Sequence, residues 1–509
     1  MKNRRLFSLI ILFCFLSAST IYAQPQGRRP ELSDEQKILN VMHSISSHTL
    51  LDYVKEMVSE KYGGRLTGTP EYNACADWVV SLLKRWGIAP AGDKGTYLQA
   101  YPNPYTLVFK GGELTLNMPV TGGVIKKHYQ YEDEFIPGST SGSGEATAEV
   151  IYVGYGITAP ELGYDDYAGI DVKGKIVLMD REVPVSPDQN PDVFKKWRPY
   201  SFHQYKLENA LAHGAKGMIY NYGPITNPNN SYREGFIYSH VGDAVVADVF
   251  AGTGKTYKET VDKIKKELKP QSFATGKNFT IKNVTEHHPE GIGYNVIGIM
   301  PGSDPKLKDD LIIIGGHLDH VGRCWELMPG ANDNASAVAV LLGVAEAMTK
   351  SPAKLRRTVM FLAFGGEEQG VIGSEYYCEH PIFPLEKTIG FINMDSVGSG
   401  DYISASAGKN YPAFWEFIEK NNQKYIHRQL STNYWANIAR PRLDAARFMW
   451  KGVPTLSFST QGFYSPLPTY HNTRDNLSLI TPEILEDMAQ LLFMAVLDMA
   501  NQDSLNFRK

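Results

Sequence analysis

The sequence predicts an α/β protein in which a mixed, mostly parallel central sheet is flanked by helices and interrupted by an inserted β-rich domain. The chain has 509 residues, 43% of them apolar, so it is long enough for more than one core. After residue 294, apolar runs alternate with helical patterns, which is typical of a sheet covered on both faces. A glycine- and serine-rich stretch at 138–144, followed by short apolar runs, indicates the insertion.

The first part of the folded chain is predicted to be helical. Apolar residues recur with helical spacing over 38–58 and again over 70–86, and Gly87 ends the second helix. Between 97 and 127 the pattern changes to short β-rich runs. We therefore expect two helical segments before the first strands.

The insertion and the part that follows it have separate strand patterns. Inside the insertion, strands are predicted at 150–156 and 175–179, and a helix followed by a strand at 206–220. Long helices are predicted at 335–348 and 482–499. The strands that alternate with helices are predicted at 295–300, 311–315, 359–364, 388–394 and 455–458. In such sheets a ligand site lies beyond the carboxyl ends of the strands.

The amino terminus has the features of a secretory signal peptide. Lys2, Arg4 and Arg5 precede an apolar run at 6–16, and small residues lead to Ala23. We expect cleavage after 1–23 and export to the periplasm or the extracellular space; the alternative is an uncleaved anchor. No later run reaches 18 apolar residues, so no stable membrane span is expected after cleavage.

Charge and cysteine content exclude two other classes of protein. The net charge is −4, and loss of the three cations in 1–23 makes it −7, so no basic surface for nucleic acid is expected. Four cysteines are too few for a disulfide scaffold. Without Cys14 three remain, and a bridge between Cys324 and Cys378 stays open, because sequence does not establish connectivity.

Chemistry-bearing residues follow the predicted strands. His317 and Asp319 come after the strand at 311–315, and residues two apart in extended chain point to the same side. A carboxylate placed there can orient a metal-binding imidazole. A hydrogen-bonded turn histidine is the alternative. Asp333 lies just before a long helix, where it could equally be an N-cap.

Two adjacent acids follow the next predicted strand. Glu367 and Glu368 come after an apolar run and two glycines, which allow close approach of the backbone. Different roles are open to them, one as a metal ligand and the other as a general base, although adjacent glutamates are also common at solvated helix starts. Asp395 ends a third strand, and His471 lies in a loop where a histidine is often merely solvated.

These residues are more informative together than singly. Two histidines and three carboxylates suit two divalent ions with mixed nitrogen and oxygen ligands. One carboxylate bridging both ions would hold them about 3.5–4 Å apart. The lack of clustered cysteines argues against a structural zinc site.

The motifs HLDH, PGANDNASAV, FLAFGGEEQGVIGS, INMD and YHNTRDN, in this order, closely resemble the M28 family of metallopeptidases, the di-zinc aminopeptidases. The segment 64–87 resembles the family's N-terminal helical segment, and 145–222 resembles a protease-associated (PA) domain. The resemblance implies a zinc exopeptidase fold. Its catalytic domain would comprise 36–130 and 286–509, with the PA domain inserted at 131–285.

The resemblance also implies a ligand set for two Zn²⁺ ions. His317 and Asp395 would bind one zinc, Glu368 and His471 the other, and Asp333 would bridge them. The peptide bond after Asp333 is often cis in this family.

The catalytic roles follow from the same resemblance. Glu367 would be the general base toward a water activated by the two zinc ions, Asp319 would orient His317, and Tyr470 would polarise the substrate carbonyl. The implied function is that of an exported aminopeptidase acting on peptides, with no implied oligomeric state.

Several other functions remain open on this scaffold. A carboxypeptidase would need a cation for the substrate's C-terminus, and Arg447 or Arg474 could provide it. Ala445 stands where many relatives have histidine, which changes the wall near the substrate. The further alternatives are a glutaminyl cyclase and a non-catalytic receptor-like ectodomain.

Overall fold

A computed structural model describes residues 32–187, 189–229, 231–435, 443–460 and 468–508. The predicted signal peptide at 1–23 lies outside these described residues. Within them, none of the helices combines the length and the apolar composition that crossing a bilayer requires.

The described residues form helices that we number in chain order. They are α1 Asp34–Met42, α2 Ser47–Met57, α3 Pro70–Arg85, α4 Pro191–Trp197, α5 His203–Ala212, α6 Asp243–Phe250, α7 Tyr257–Glu267, α8 Ser336–Lys350, α9 Ile372–Glu379, α10 Pro412–Asn421, α11 Asp444–Trp450 and α12 Pro482–Asn501.

The strands are likewise numbered in chain order. They are β1 Ala89–Pro90, β2 Leu98–Pro102, β3 Tyr105–Val120, β4 Gly123–His128, β5 Phe135–Pro137, β6 Gly144–Tyr152, β7 Thr158–Ala159, β8 Tyr164–Asp165, β9 Ile176–Asp180, β10 Gly217–Asn221, β11 Ile237–Val241, β12 Phe273–His288, β13 Ile292–Met300, β14 Leu311–His317, β15 Arg323–Cys324, β16 Glu326–Leu327, β17 Thr358–Phe364, β18 Thr388–Met394, β19 Ile403–Ser406, β20 Leu430–Thr432 and β21 Thr455–Ser459.

Local sequence signals explain the predicted helix α3. Its N-cap, Thr69, accepts the backbone N–H of Tyr72 at 3.2 Å, and Pro70 occupies the first helical position. Lys84 and Arg85 lie in the last turn, where cations complement the helix dipole. The predicted single stretch at 38–58 is instead two helices, α1 and α2.

The first sheet has the order β1-β13-β17-β14-β18-β21-β19-β20, and β2 also pairs with β13. Strands β17, β14, β18 and β21 run parallel to one another in this order, with Ile313 opposite both Met360 and Phe391. Antiparallel pairs lie outside this centre, at β13–β17 and β21–β19. The predicted mixed α/β sheet is therefore confirmed, and its parallel part lies at the centre.

Alternate residues of β14 pack on opposite faces of this sheet. Ile312 and Ile314 join the large core that contains residues of α8 and α12. Leu311 and Ile313 join the core that contains residues of α9 and α11. Since all seven residues of β14 are buried, the strand is apolar throughout rather than alternating in polarity.

The second sheet has the order β16-β15-β3-β12-β6-β9-β10-β11-β5, and β4 pairs with β3. Its longest strands, β3 and β12, pair antiparallel, with Phe279 opposite Leu116. Strand β3 lies at 105–120, which the sequence assigns to the catalytic part ending at 130. Strand pairing places β3 in the second sheet.

The second sheet also takes strands from the later part of the chain. β15 and β16 follow β14, yet Cys324 pairs with Val108 of β3. Trp325 stacks on Tyr131, with 4.3 Å between ring centroids. The segment between His317 and Asp333 therefore contacts the inserted domain on its way to α8.

The three described cysteines are free and buried. Cys378 packs with Tyr377 and Phe448 in the core beside α9 and α11. Cys324 lies in a separate cluster with Val108. The bridge that the sequence left open is therefore not present.

Candidate metal centre

The candidate site lies beyond the carboxyl ends of the parallel strands, as the rule for such sheets requires. His317 is the last residue of β14, Asp395 follows β18, and Glu367 and Glu368 come three and four residues after β17. Asp333 lies in the irregular segment before α8, and His471 precedes α12. The structure thus brings together all the residues that the sequence singled out as metal ligands.

Asp333 lies between the two histidines. Its Oδ1 is 3.3 Å from Nε2 of His317, and its Oδ2 is 3.4 Å from Nε2 of His471. The peptide bond between Asp333 and Asn334 is cis. The two oxygens of one carboxylate therefore face different histidines, as a bridging ligand would require.

The possible ligand atoms form two main groups that share Asp333. One comprises His317, Asp333 and Asp395, and the other comprises His320, Asp333, Glu368 and His471. In each group the candidate atoms lie within 4.8 Å of one another. A further group of this kind joins His317, Glu367 and Glu368.

Both expected histidine ligands have Nδ1 directed at a backbone carbonyl. Nδ1 of His317 is 3.1 Å from the carbonyl oxygen of Asp319, and Nδ1 of His471 is 2.8 Å from that of Thr226. A carbonyl only accepts, so each Nδ1 donates and each Nε2 is left to face the carboxylates. Nε2 of His471 is buried and lies 2.9 Å from Oε2 of Glu368 and 3.4 Å from Oδ2 of Asp333 without the angles of a hydrogen bond, which fits atoms that share a metal ion.

Asp319 has a second role that the sequence did not suggest. Its carboxylate accepts the backbone N–H groups of Glu367 and Glu368 at 3.3 and 3.2 Å. Its Oδ1 is 3.6 Å from Nδ1 of His317, farther than its own carbonyl oxygen. Asp319 therefore contacts His317 mainly through its backbone, while its side chain holds the turn that carries both glutamates.

Other polar side chains also hold this turn. Thr67 Oγ1 accepts the N–H of Gly366 at 2.8 Å, and Asn295 Oδ1 accepts that of Gly365 at 3.2 Å. Asn103 donates to Gln369 at 2.9 Å. The bonds to Gly365 and Gly366 satisfy buried backbone N–H groups that lie outside any helix or strand.

The two adjacent glutamates have opposite pKa shifts. Burial and the Glu368 carboxylate raise the pKa of Glu367 well above its usual range, against the opposing effect of His317. Burial would also raise the pKa of Glu368, but His471 and His320 lower it to about 2. Separate environments of this kind assign separate acid–base roles to neighbouring carboxylates. Glu367 is suited to hold a proton and Glu368 to remain an anionic ligand.

Three supporting residues were not identified from the sequence. His320, the second histidine of the HLDH motif, has Nδ1 2.8 Å from Oε1 of Glu368. Asp475, in the YHNTRDN motif, accepts the N–H groups of Asn332 and Asp333 at 2.8 and 3.0 Å. Both lie inside motifs already singled out, so their position in those motifs was the available signal.

Arg65 is the third of these residues, and its side chain is fully buried. It donates to the carbonyl oxygens of Leu318, Met57, Pro329 and Gly330 at 2.8–3.0 Å. It thereby connects the turn after His317 to the segment before Asp333. Arginines are seldom buried, and no local pattern marked this one as different.

Tyr470 lies beside the candidate ligands. Its ring stacks on that of His471, with 3.6 Å between centroids. Burial and the nearby acidic residues raise the pKa of Tyr470 well above its usual range, so its phenol is protonated at neutral pH. A neutral phenol beside the metal ligands can donate a hydrogen bond.

The two arginines considered for a substrate carboxylate already have acidic partners. Arg447 Nη1 is 2.8 Å from Oε1 of Glu375, and Arg474 Nη2 is 2.7 Å from Oδ1 of Asp133. Ala445, where many relatives have histidine, is fully buried. The structure therefore places neither cation as a free anchor for a carboxylate.

Comparison with known families matches two segments. Residues 295–496 match peptidase family M28, and residues 146–254 match the PA domain. The first segment contains every candidate metal ligand, and the second lies within the second sheet and its helices.

Individual relatives point in the same direction. The chain is 28% identical to aminopeptidase YwaD of Bacillus subtilis over 370 residues, covering 68% of each chain. It is 27% identical to an aminopeptidase of Pseudomonas aeruginosa over 376 residues, which cover 71% of this chain but only 59% of that protein.

Solved structures share the overall fold. An aminopeptidase from Aneurinibacillus sp. strain AM-1 aligns with a TM-score of 0.65 at 23% identity, covering 92% of this chain and 98% of that one. BSAP, a zinc aminopeptidase from Bacillus subtilis, aligns with a TM-score of 0.57 at 20% identity, covering 89% of this chain and 95% of that one. At these identities the likeness establishes the fold.

Proposed function

Because residues 295–496 match peptidase family M28 and the preceding residues 146–254 match the PA domain, we propose that this protein is an exported zinc-dependent aminopeptidase. It would remove N-terminal residues from peptides. The observation that carries this proposal is Asp333, whose two oxygens face Nε2 of His317 and Nε2 of His471. Relatives named aminopeptidases support the reaction class.

The residues present fit two zinc ions. His317 and Asp395 would hold one and Glu368 and His471 the other, with Asp333 shared between them. Histidine nitrogen with carboxylate oxygen is a common zinc ligand set. When bound, zinc supplies Lewis acidity that polarises a peptide carbonyl and acidifies water.

We assign proton transfer to Glu367. Its raised pKa lets the carboxylate accept a proton from the attacking water and later deliver it to the nitrogen of the leaving amine. The bonds from Asp319 to the backbone N–H groups of Glu367 and Glu368 hold this carboxylate next to the candidate ligands. Glu367 thus acts on protons while its neighbour stays charged.

We assign Tyr470 to the developing oxyanion. Its protonated phenol lies against His471, and a hydrogen bond to the substrate's carbonyl oxygen strengthens as negative charge accumulates there. This role does not require Tyr470 to lose its proton, in agreement with its raised pKa.

The acidic character of the site favours a substrate with a free amine. Glu367 lies beside the carboxylate ligands Asp333, Glu368 and Asp395, and this group of acidic residues complements an ammonium group. A carboxypeptidase would need a free cation, whereas Arg447 and Arg474 are paired with Glu375 and Asp133. Export is inferred from the signal-like pattern of 1–23 alone.

The test replaces Glu367 by Gln, with Glu379→Gln on α9 as an exposed control. Hydrolysis of free-amine aminoacyl substrates should fall by about 10²–10⁴-fold in Glu367→Gln, while zinc content stays near two per chain. Glu379→Gln should retain full activity and metal. Unchanged turnover in Glu367→Gln, or a wild-type preference for N-blocked peptides, would contradict the proposal. Pyroglutamate formation by the wild type would instead indicate a glutaminyl cyclase.

A further inference from the structure

The loop that carries His471 is bonded to the inserted domain, by which we mean the second sheet with helices α4–α7. The backbone N–H of Thr226, in the segment between β10 and β11, donates to the carbonyl oxygen of His471 at 2.9 Å. The carbonyl oxygen of Thr226 lies 2.8 Å from Nδ1 of the same residue. Thr226 therefore holds both the backbone and the ring of His471.

A second bond set holds the same loop two residues later. Glu132, just before β5, accepts the N–H and the Oγ–H of Thr473 through one oxygen, Oε1, at 2.8 and 2.6 Å. These are charge-assisted bonds, which are stronger than neutral ones. The loop of His471 is thus held at His471 and at Thr473 by residues outside the first sheet.

The backbone of His471 needs such support. Its φ is +55°, a left-handed conformation that costs energy for a residue with a side chain and persists only where its surroundings enforce it. His471 and Thr226 are 4% and 1% exposed, so water does not compete for their bonds. The contacts from the inserted domain supply that enforcement.

The two expected histidine ligands differ in which part of the protein supplies the partner of Nδ1. The Nδ1 partner of His317 is the carbonyl oxygen of Asp319, two residues after the strand that ends at His317. The Nδ1 partner of His471 belongs to the inserted domain. Second-sphere partners fix the tautomer and the orientation of a metal-binding imidazole. Only the His471 side of the site depends on the inserted domain for that function.

We propose that the inserted domain sets the metal affinity of the His471 side of the site, with Glu132 as a positioning residue that acts through Thr473 and Thr226 as the partner of the ring. The inference rests on the proposed function, since it requires two metal ions. It gives the inserted domain a role in assembling the site, separate from any contact with substrate.

The experiment measures zinc affinity on the full-length protein by competition with a chelator, together with cobalt substitution and its absorption spectrum. Glu132→Ala removes the acceptor for Thr473, whereas Glu132→Gln keeps a side-chain oxygen in place. Asp133→Ala is the matched control, because Asp133 is in the same turn and pairs with Arg474 only at an exposed position.

Glu132→Ala should lower the affinity for one of the two zinc ions by about 10–100-fold and change the cobalt spectrum of that site. The affinity for the other ion should stay unchanged. Glu132→Gln should restore most of the loss, and Asp133→Ala should bind both ions as the wild type does. Thr473→Val, which removes only the hydroxyl donor, should lower the affinity for the same zinc ion to a smaller extent.

If Glu132→Ala binds both zinc ions with wild-type affinity, this inference is wrong, while the proposed function is unaffected. An equal loss of affinity for both zinc ions, accompanied by a lower unfolding temperature, would also overturn the inference, because that pattern indicates a general loss of stability. A wild-type protein that binds no zinc yet is correctly folded would overturn the proposed function along with it.

Discussion

Nε2 of His471 lies 2.9 Å from Oε2 of Glu368, two residues that come from separate parts of the chain and meet at the edge of the first sheet. Burial alone would lower the pKa of His471, but the carboxylates of Glu368 and Asp333 raise it to about 10. In the absence of a metal the imidazole is therefore protonated and offsets the acids. A metal ion at this position would displace that proton.

Metal removal should therefore destabilise the protein as well as inactivate it. A ligand that binds only the folded state stabilises by about 2.7 kcal/mol at 100 times its dissociation constant. We expect a chelator to lower the thermal unfolding temperature by several degrees and zinc to restore it at two equivalents. Calorimetry with metal analysis measures both, and unchanged unfolding in the chelated protein would contradict a tightly bound pair.

Asp475→Asn should weaken metal binding while preserving the fold. The carboxylate accepts the N–H groups of Asn332 and Asp333, and an amide would turn one acceptor into a donor facing an N–H. We expect a 10–100-fold lower zinc affinity. Asp77→Asn, at an exposed position on α3, is the control and should bind zinc normally. The idea fails if chelator titrations of the two variants coincide.

Arg65→Lys should lose substantial stability. A lysine retains the charge but cannot donate to the four carbonyl oxygens that Arg65 contacts, and buried unsatisfied carbonyls cost about 1–3 kcal/mol each. We expect a loss of about 3 kcal/mol or more in urea unfolding with excess zinc. Arg85→Lys, exposed at the end of α3, should change stability by about 0.5 kcal/mol at most. Equal midpoints for the two variants would contradict this assignment.

Cys75 should make stability depend on pH in the alkaline range. Burial raises the pKa of this thiol from 9.0 to about 12. The folded state holds the thiol proton more tightly than the unfolded state does. The contribution of Cys75 to the free energy of unfolding is therefore complete below pH 9 and is lost as pH rises toward 12. In this window the free energy of unfolding falls by about 1.4 kcal/mol for each pH unit.

The measurement for Cys75 compares urea unfolding at pH 8 and pH 10 in wild type and Cys75→Ala. The variant should show a shallower decline, because other groups still titrate but this thiol does not. Parallel declines in the two proteins would show that Cys75 contributes nothing to the pH dependence.

The sequence by itself determined the fold class and much of the candidate site. Buried parallel strands must be apolar along their whole length, so β14, β17 and β18 stand out, and polar residues placed directly after them fall at one edge of the sheet. His317, Glu368 and Asp395 could be identified for this reason. The motifs that carry the candidate ligands are local in sequence, which makes them visible without a structure.

Only the tertiary structure decided how those residues are supported. The contacts of Arg65 with Gly330, of Asp475 with Asp333 and of Thr226 with His471 join segments far apart in the chain. No periodicity or spacing encodes such pairs, because a buried hydrogen bond depends on where two segments meet in space. For the same reason, strand pairing rather than composition placed β3 in the second sheet and kept Cys324 apart from Cys378.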